Sequence, residues 1–377
     1  MEWHRIRVCH NFMHERAPQS ATDGSRVIQV AGKPGQAPRY RGVAVCGDAW
    51  VCPACAPRIT ERRRDELRRG VKVHRQQNGQ VVLITGTFSH GPMDDLPRAW
   101  SGLSDAMRRF NASRAVKAIR AEMGFDGQIR SREITYGVNG WHPHMHALWL
   151  VGAHVDDGLL QELERRLSME WRKFCVRAGL GEPTLKHGFR ASLTDVDDYT
   201  AKWGLDAELS KWHVKTNARE IDPDAPAEAG LTGYTPFDLL RIAAGDLIPD
   251  HRLNLSRDRA RMLFADYAEA VKGTAQLYWS KGLKDRLGIN PESDEYIAEG
   301  LELDVDEVVH GELRGAEWLV LTMTHRQLRF LELVRDVGWN GARLKLDAWC
   351  EAYAQRAHAG IQRAFQLAEV SYLCRPP

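Results

Sequence analysis

The stretch Gly140-Trp141-His142-Pro143-His144-Met145-His146-Ala147-Leu148-Trp149 carries three histidines at alternate positions. In a strand, alternate side chains point to one face, so His142, His144 and His146 share a surface. Trp141, Pro143, Met145, Ala147 and Trp149 fall on the other face, which is apolar and fit for burial. A lone histidine in a strand is ordinarily a surface or satisfied core residue. Several on one open face form a preformed set of divalent-metal ligands.

The segment before it, 128–136, is rich in strand formers and ends at Gly137-Val138-Asn139-Gly140. Asn-Gly is a strong hairpin signal, because a two-residue turn needs positive φ at both central positions. A turn centred on Asn139 and Gly140 sets Glu133 across from His146 and Thr135 across from His144. A carboxylate beside imidazoles, with positions left open, suits Mn²⁺ or Mg²⁺ carrying a phosphate oxygen. Which two or three of the histidines ligate stays open on this pattern. Pro143 removes one ladder donor and argues for a hairpin near a sheet edge.

Downstream, Thr194 and Asp197 form a capping-box-like pattern at the start of a helix carrying Tyr199 and Lys202. Residues three apart share a helix face. A phenol has a pKa of about 10, so forming phenolate at neutral pH costs about 4 kcal/mol. A polarised phosphate and a nearby ammonium offset part of that cost. Alone, a Tyr-x-x-Lys pair is weak, since amphipathic helices carry it by chance.

Taken together, these residues resemble the HUH endonucleases, in particular the replication initiators of rolling-circle plasmids and phages. His144-Met145-His146-Ala147-Leu148-Trp149 fits that family's His-hydrophobic-His motif, and Tyr199-Thr200-Ala201-Lys202 fits its Tyr-x-x-Lys motif. Leu83-Ile84-Thr85-Gly86-Thr87-Phe88-Ser89-His90 resembles its first motif. The resemblance covers roughly residues 40 to 290. It implies metal ligands His144, His146 and Glu133, with His142 as a further candidate. It also implies Tyr199 as the nucleophile forming a 5′-phosphotyrosine link, and Lys202 as the residue positioning the phosphate. Trp203 stands where some relatives place a second catalytic residue, so a two-tyrosine cycle on one subunit is not expected. Asp195 and Asp198 are candidates for activating water at termination.

Seven cysteines occur in the chain. Cys52-Pro53-Ala54-Cys55 with Cys46 six residues earlier reads as a structural Zn²⁺ site, Cys9 being the fourth ligand and His10 or His4 the alternatives. A redox Cys-x-x-Cys is the rival reading, and a secreted disulfide framework is not expected of a chain this long with no signal peptide. Immediately after it, Arg58, Arg62, Arg63, Arg64, Arg68 and Arg69 lie within twelve residues of a predicted helix. They are candidate phosphate contacts, although such arginines are more often a solvated face.

The net charge of +2 does not by itself announce nucleic acid, so any DNA surface must be local. Twelve tryptophans are present, of which Trp141, Trp203 and Trp212 are candidates for stacking unpaired bases. No apolar run reaches the ~20 residues needed to span a membrane, and a cytoplasmic protein is expected.

The expected elements are a strand at 80–89, a helical stretch at 96–123, the hairpin at 128–151, a helix at 157–177, a strand at 189–193 and the tyrosine helix. Strand-helix-strand-strand-helix-strand predicts an α+β, ferredoxin-like (split βαβ) antiparallel sheet. The expected domains are a zinc-binding, arginine-rich module at 1–75, an endonuclease domain at 76–215 and a mainly helical region at 216–377. That last region begins with a Pro/Gly-containing linker at 216–233, reads as helical at 263–287, and ends in an amphipathic helix suited to DNA binding or to self-association as a homodimer. No phosphate-binding loop of the Gly-x-x-x-x-Gly-Lys type occurs, so a replication role needs a host helicase and DNA polymerase. The expected substrate is single-stranded or hairpin origin DNA. Alternatives are a rolling-circle transposase, a relaxase, whose tyrosine ordinarily precedes its histidines, and a non-catalytic zinc-containing DNA-binding protein.

Overall fold

The computed structural model describes residues 6, 9–33, 36–152, 155–185, 187–194, 233–249, 253, 255–302 and 306–373, with the side chains of 358–373 excepted. Tyr199, Lys202, Trp203, the helix expected around them and nearly all of the 216–233 linker lie outside the described residues. The strands in chain order are β1 (Ile28–Gly32), β2 (Arg39–Arg41), β3 (Gln80–Gly86), β4 (Phe125–Gly137), β5 (Gly140–Val151), β6 (Phe189–Leu193), β7 (Leu277–Trp279) and β8 (Val308–Leu313).

Contacts group the chain into two compact units. One contains Met1–Gly47 with Asp294–Pro377, the other Asp48–Ser293. In the first, β2, β1 and β8 form an antiparallel sheet over Ile28, Val30, Tyr40, Leu313, Trp318 and Phe330, all buried. Pairing between β1 and β8, far apart in sequence, leaves no local signal in either strand. The long terminal helix Gln327–Leu373 is kinked at Gly338, whose φ of 73° and ψ of 172° are non-helical.

The second unit holds a sheet in the order β6-β3-β5-β4-β7, with every neighbouring pair antiparallel. The expected 96–123 helical stretch is two helices, Leu96–Ala112 and Arg114–Glu122, separated at Ser113 where ψ is 136°. Asp95 caps the first and Asp156 caps Asp157–Arg177, each side chain accepting a backbone N–H of the first turn. Residues 263–287 are not one helix: Arg257–Val271 is helical, β7 follows, and a short helix Leu283–Arg286 comes after it. Three residues of strand are too few for periodicity to reveal.

Trp141, Met145, Ala147 and Trp149 are at most 5% exposed, as their alternation predicts. On that face Phe110 and Trp171 from the flanking helices meet Phe189 of β6, with ring centroids 5.6 Å and 5.7 Å from Phe110. Gly86 makes room for them, since a Cβ there would lie 2.8 Å from Met145 Cε and 3.0 Å from Trp171. The other face is covered at one end only. There Leu67 and Val71 of the arginine-rich helix Cys55–Gln76 pack with Val81, Ile129, Leu148 and Leu150. Leu148 and Leu150 continue the alternation of the histidines, so the same face passes from packed core to open site along β5.

Candidate metal centre

The hairpin pairs Glu133 with His144, Thr135 with His142 and Ser131 with His146, because Gly137 pairs with Gly140. This corrects the expected register by two residues. The turn tip is Val138-Asn139, and the positive φ is carried by Gly140 at 77°, with neither Val138 nor Asn139 in the left-handed region. A turn followed by a left-handed glycine is the three-residue alternative to the primed Asn-Gly turn. A two-residue shift keeps every side chain on its face, so the site survives the change.

Glu133, His144 and His146 converge, each offering one ligand atom within 4.8 Å of the other two. Glu133 Oε2 lies 3.0 Å from His144 Nε2 and 3.6 Å from His146 Nε2. Both Nδ1 atoms are held from behind. His144 Nδ1 lies 3.1 Å from the His142 carbonyl, and His146 Nδ1 lies 3.1 Å from the Thr85 hydroxyl. A carbonyl only accepts, so His144 Nδ1 carries the proton and its Nε2 lone pair faces a carboxylate oxygen. Acceptor facing acceptor calls for a cation, supplied either by a metal or by a second proton on the ring. The donor set, a hard carboxylate with two oriented imidazoles, fits a divalent ion with open positions. Burial works to raise the Glu133 carboxyl, but hydrogen bonds from His144 and His146, with their charge, outweigh it and hold the group well below the usual carboxylate range.

His142 is not part of this three-ligand group. Its Nδ1 meets His90 Nε2, and His90 Nδ1 lies 3.0 Å from the Asn139 carbonyl. His90, His142 and His144 line one open cleft with Thr135 and the turn. Thr85 and His90 were not singled out as site residues from sequence, although both lie in the segment resembling the family's first motif. The role of Thr85 depends on β3 pairing it with His146, which no single strand reveals.

Cys9, Cys46, Cys52 and Cys55 also bring their sulfur atoms within 4.8 Å of one another, while His10 is not in the group and His4 lies outside the described residues. Cys46, Cys52 and Cys55 are buried and Cys9 is partly so. Four thiols suit Zn²⁺ in a closed, tetrahedral site.

The arginine-rich helix is less available for DNA than its sequence suggests. Arg62 makes two hydrogen bonds to Glu292, at 2.8 and 2.6 Å. Arg63 binds Glu66 at 2.7 Å and the Glu292 carbonyl at 2.8 Å. Arg64 pairs with Glu61, and Arg58 is half-buried. Arg68 and Arg69 are exposed, the first 3.6 Å from Asp65 and the second 3.4 Å from the Asp65 carbonyl. From the last turn of the same helix, Arg75 donates to the Thr194 carbonyl at 2.6 Å, and Thr194 N donates to the Val81 carbonyl at 3.1 Å. The chain therefore leaves β6 from a fixed point, five residues before Tyr199.

Among the described residues, no helix is long and apolar enough to cross a membrane. Residues 39–157 match the family described as Replication protein. The chain is 28% identical over 308 residues to Protein rep of Streptomyces lividans, covering 66% of this chain and 65% of that protein. It is 31% identical over 146 residues to a Neomycin resistance protein of Streptomyces cyanogenus, covering 30% of this chain and 32% of that one. The matches thus span less than two thirds of either relative's length. No solved structure matches. The family match spans Cys46, Cys52, Cys55, Thr85, Glu133, His144 and His146, and over these residues the chain is similar to replication proteins.

Proposed function

We propose that the chain is a metal-dependent, site-specific single-strand DNA endonuclease and strand transferase of the HUH type, which nicks a replication origin and starts rolling-circle replication. The observation that carries this reading is the convergence of Glu133, His144 and His146, with both imidazoles held through Nδ1. The strand order β6-β3-β5-β4 supports a ferredoxin-like core displaying that site.

A divalent ion bound there, Mn²⁺ or Mg²⁺, supplies positive charge to the scissile phosphate. Glu133, His144 and His146 hold it, and Thr85 orients the His146 ring. Tyr199 Oη attacks phosphorus and loses its proton, so the O–P bond to tyrosine forms while the bond from phosphorus to the 3′ oxygen breaks. That oxygen takes a proton and becomes a free 3′-hydroxyl for a host polymerase, with a host helicase opening the duplex. Lys202 places positive charge beside the phosphate. Cys9, Cys46, Cys52 and Cys55 hold structural Zn²⁺, and Arg68 and Arg69 are the members of the basic helix best placed for DNA. Trp203 is proposed to stack on the strand.

The test is incubation with Mn²⁺ and labelled single-stranded oligonucleotides spanning the replication origin, read on a denaturing gel. A protease-sensitive covalent adduct that disappears in Tyr199→Phe, with DNA binding retained, is the expected result. Cleavage surviving in Tyr199→Phe overturns the assignment of the nucleophile. Tight binding without cleavage under any metal favours a DNA-binding protein with no nuclease activity.

A further inference from the structure

We infer that Arg130 and Arg132, on the face of β4 opposite Glu133, form a phosphate-binding subsite with Tyr278 that holds the DNA strand away from the metal. The inference rests on the nuclease reading for the identity of its ligand, but not for the existence of the subsite.

Arg130 and Arg132 are two residues apart on β4 and share a face, while Glu133 lies on the other. Both are half-buried, yet neither meets a carboxylate among the described residues. Arg130 lies with its Cζ 4.2 Å from the ring centre of Tyr278, its cross-strand partner on β7. Arg132 lies with its Cζ 4.0 Å from the Trp100 ring and donates to the Ser104 hydroxyl. A third guanidinium, Arg120, stacks on Trp149 and Phe125 at 4.3 and 4.5 Å and donates to Asn111 and Gln128, which are neutral. Arg120 is 8% exposed, and its Nε is buried without an acceptor, as is Trp100 Nε1. Burial lowers the pKa of all three arginines, and the charge of Arg130 adds to the effect at Arg120 and Arg132.

Elsewhere in this unit, partly buried arginines are neutralised: Arg62 by Glu292 and Arg63 by Glu66. A half-buried cluster of like charges with surplus donors and no carboxylate is costly unless an anion completes it. Planar guanidiniums stacked on aromatic rings are preorganised for phosphate oxygens. Access is from the sheet edge, where β7 is the terminal strand and Tyr278 is 47% exposed. An aromatic surface beside an arginine suits a phosphate with its adjoining base. Along β4, Arg130 is about 10 Å from Glu133 at the usual strand rise, a distance a few nucleotides span easily.

The experiment uses the full, zinc-loaded chain with no Mn²⁺ or Mg²⁺ added, and measures binding of labelled single-stranded DNA across a salt series, alongside thermal midpoints with and without inorganic phosphate. The variants are Arg130→Gln, Arg132→Gln and Arg130→Lys. The expected result is that each Gln variant lowers the slope of log affinity against log salt by roughly 0.7, the contribution of one single-strand phosphate. Arg130→Lys keeps most of it, and without phosphate the Gln variants melt no lower than the unaltered chain, since each has lost an uncompensated charge. Loss of phosphate-dependent stabilisation with an unchanged DNA slope identifies free phosphate as the ligand and overturns the strand assignment. Unchanged slopes together with no phosphate effect overturn the subsite. Formation of the Tyr199 adduct is scored separately, so a chain that never cleaves but loses slope in Arg130→Gln retains the subsite and loses the nuclease reading.

Discussion

The Glu133–His144–His146 group and the four-cysteine group bring their ligand atoms to the same closeness, within 4.8 Å, with opposite chemistry around them. The first is built on adjacent strands of one hairpin, keeps 13 to 18% exposure on its side chains, and opens beside a cleft. The second draws thiols from a stretch of 47 residues, three of them buried. Hard, oriented ligands on a preformed sheet leave room for a substrate oxygen. Soft thiols gathered from a loop-rich segment suit a closed site, in which an ion would serve structure rather than reaction. Ligand type and the element that carries it, not proximity alone, separate a working metal from a structural one.

Substitutions should divide along that line. Removing a thiol has the largest effect. Cys52→Ser is expected to abolish zinc binding, whose apparent free energy in structural sites is on the order of 10 kcal/mol, and to lower the thermal midpoint sharply. Zinc analysis and calorimetry read both, and an unchanged midpoint with zinc lost would break the structural assignment. Glu133→Ala should leave the fold and the zinc intact while cleavage of origin oligonucleotides falls by about 10²–10³-fold, the usual cost of removing one charge-stabilising group. Cleavage at the original rate would remove Glu133 from the site. Thr85→Val acts on the same centre from behind a ligand. It leaves every ligand in place but frees His146 Nδ1, and should weaken Mn²⁺ binding by roughly 10- to 100-fold in titration calorimetry. His90→Ala acts one step further out, through His142, and should change Mn²⁺ affinity by less than about 10-fold. A larger loss would make His142 a ligand rather than a neighbour.

The sequence showed the histidine face of β5, its apolar reverse and the cysteine spacing, because each is a local pattern with period two or a short fixed interval. The partner of each histidine was less legible. Asn139-Gly140 suggested a primed turn, whereas the chain uses Gly140 as a left-handed residue after a Val138-Asn139 tip, which moved Glu133 from His146 to His144. Roles that depend on remote pairing were not legible at all: Thr85 behind His146, β7 beside β4, and β1 beside β8. The arginine-rich helix read as a basic surface because its neutralising partner Glu292 lies some 230 residues away.

The most direct test of the central claim is Mn²⁺ binding to zinc-loaded protein, followed by electron paramagnetic resonance, in the unaltered chain and in a His144→Ala, His146→Ala double variant. One Mn²⁺ per chain, lost in the double variant while zinc content stays the same, is the predicted result. Mn²⁺ binding that persists in the double variant, or that disappears only together with zinc, would contradict it.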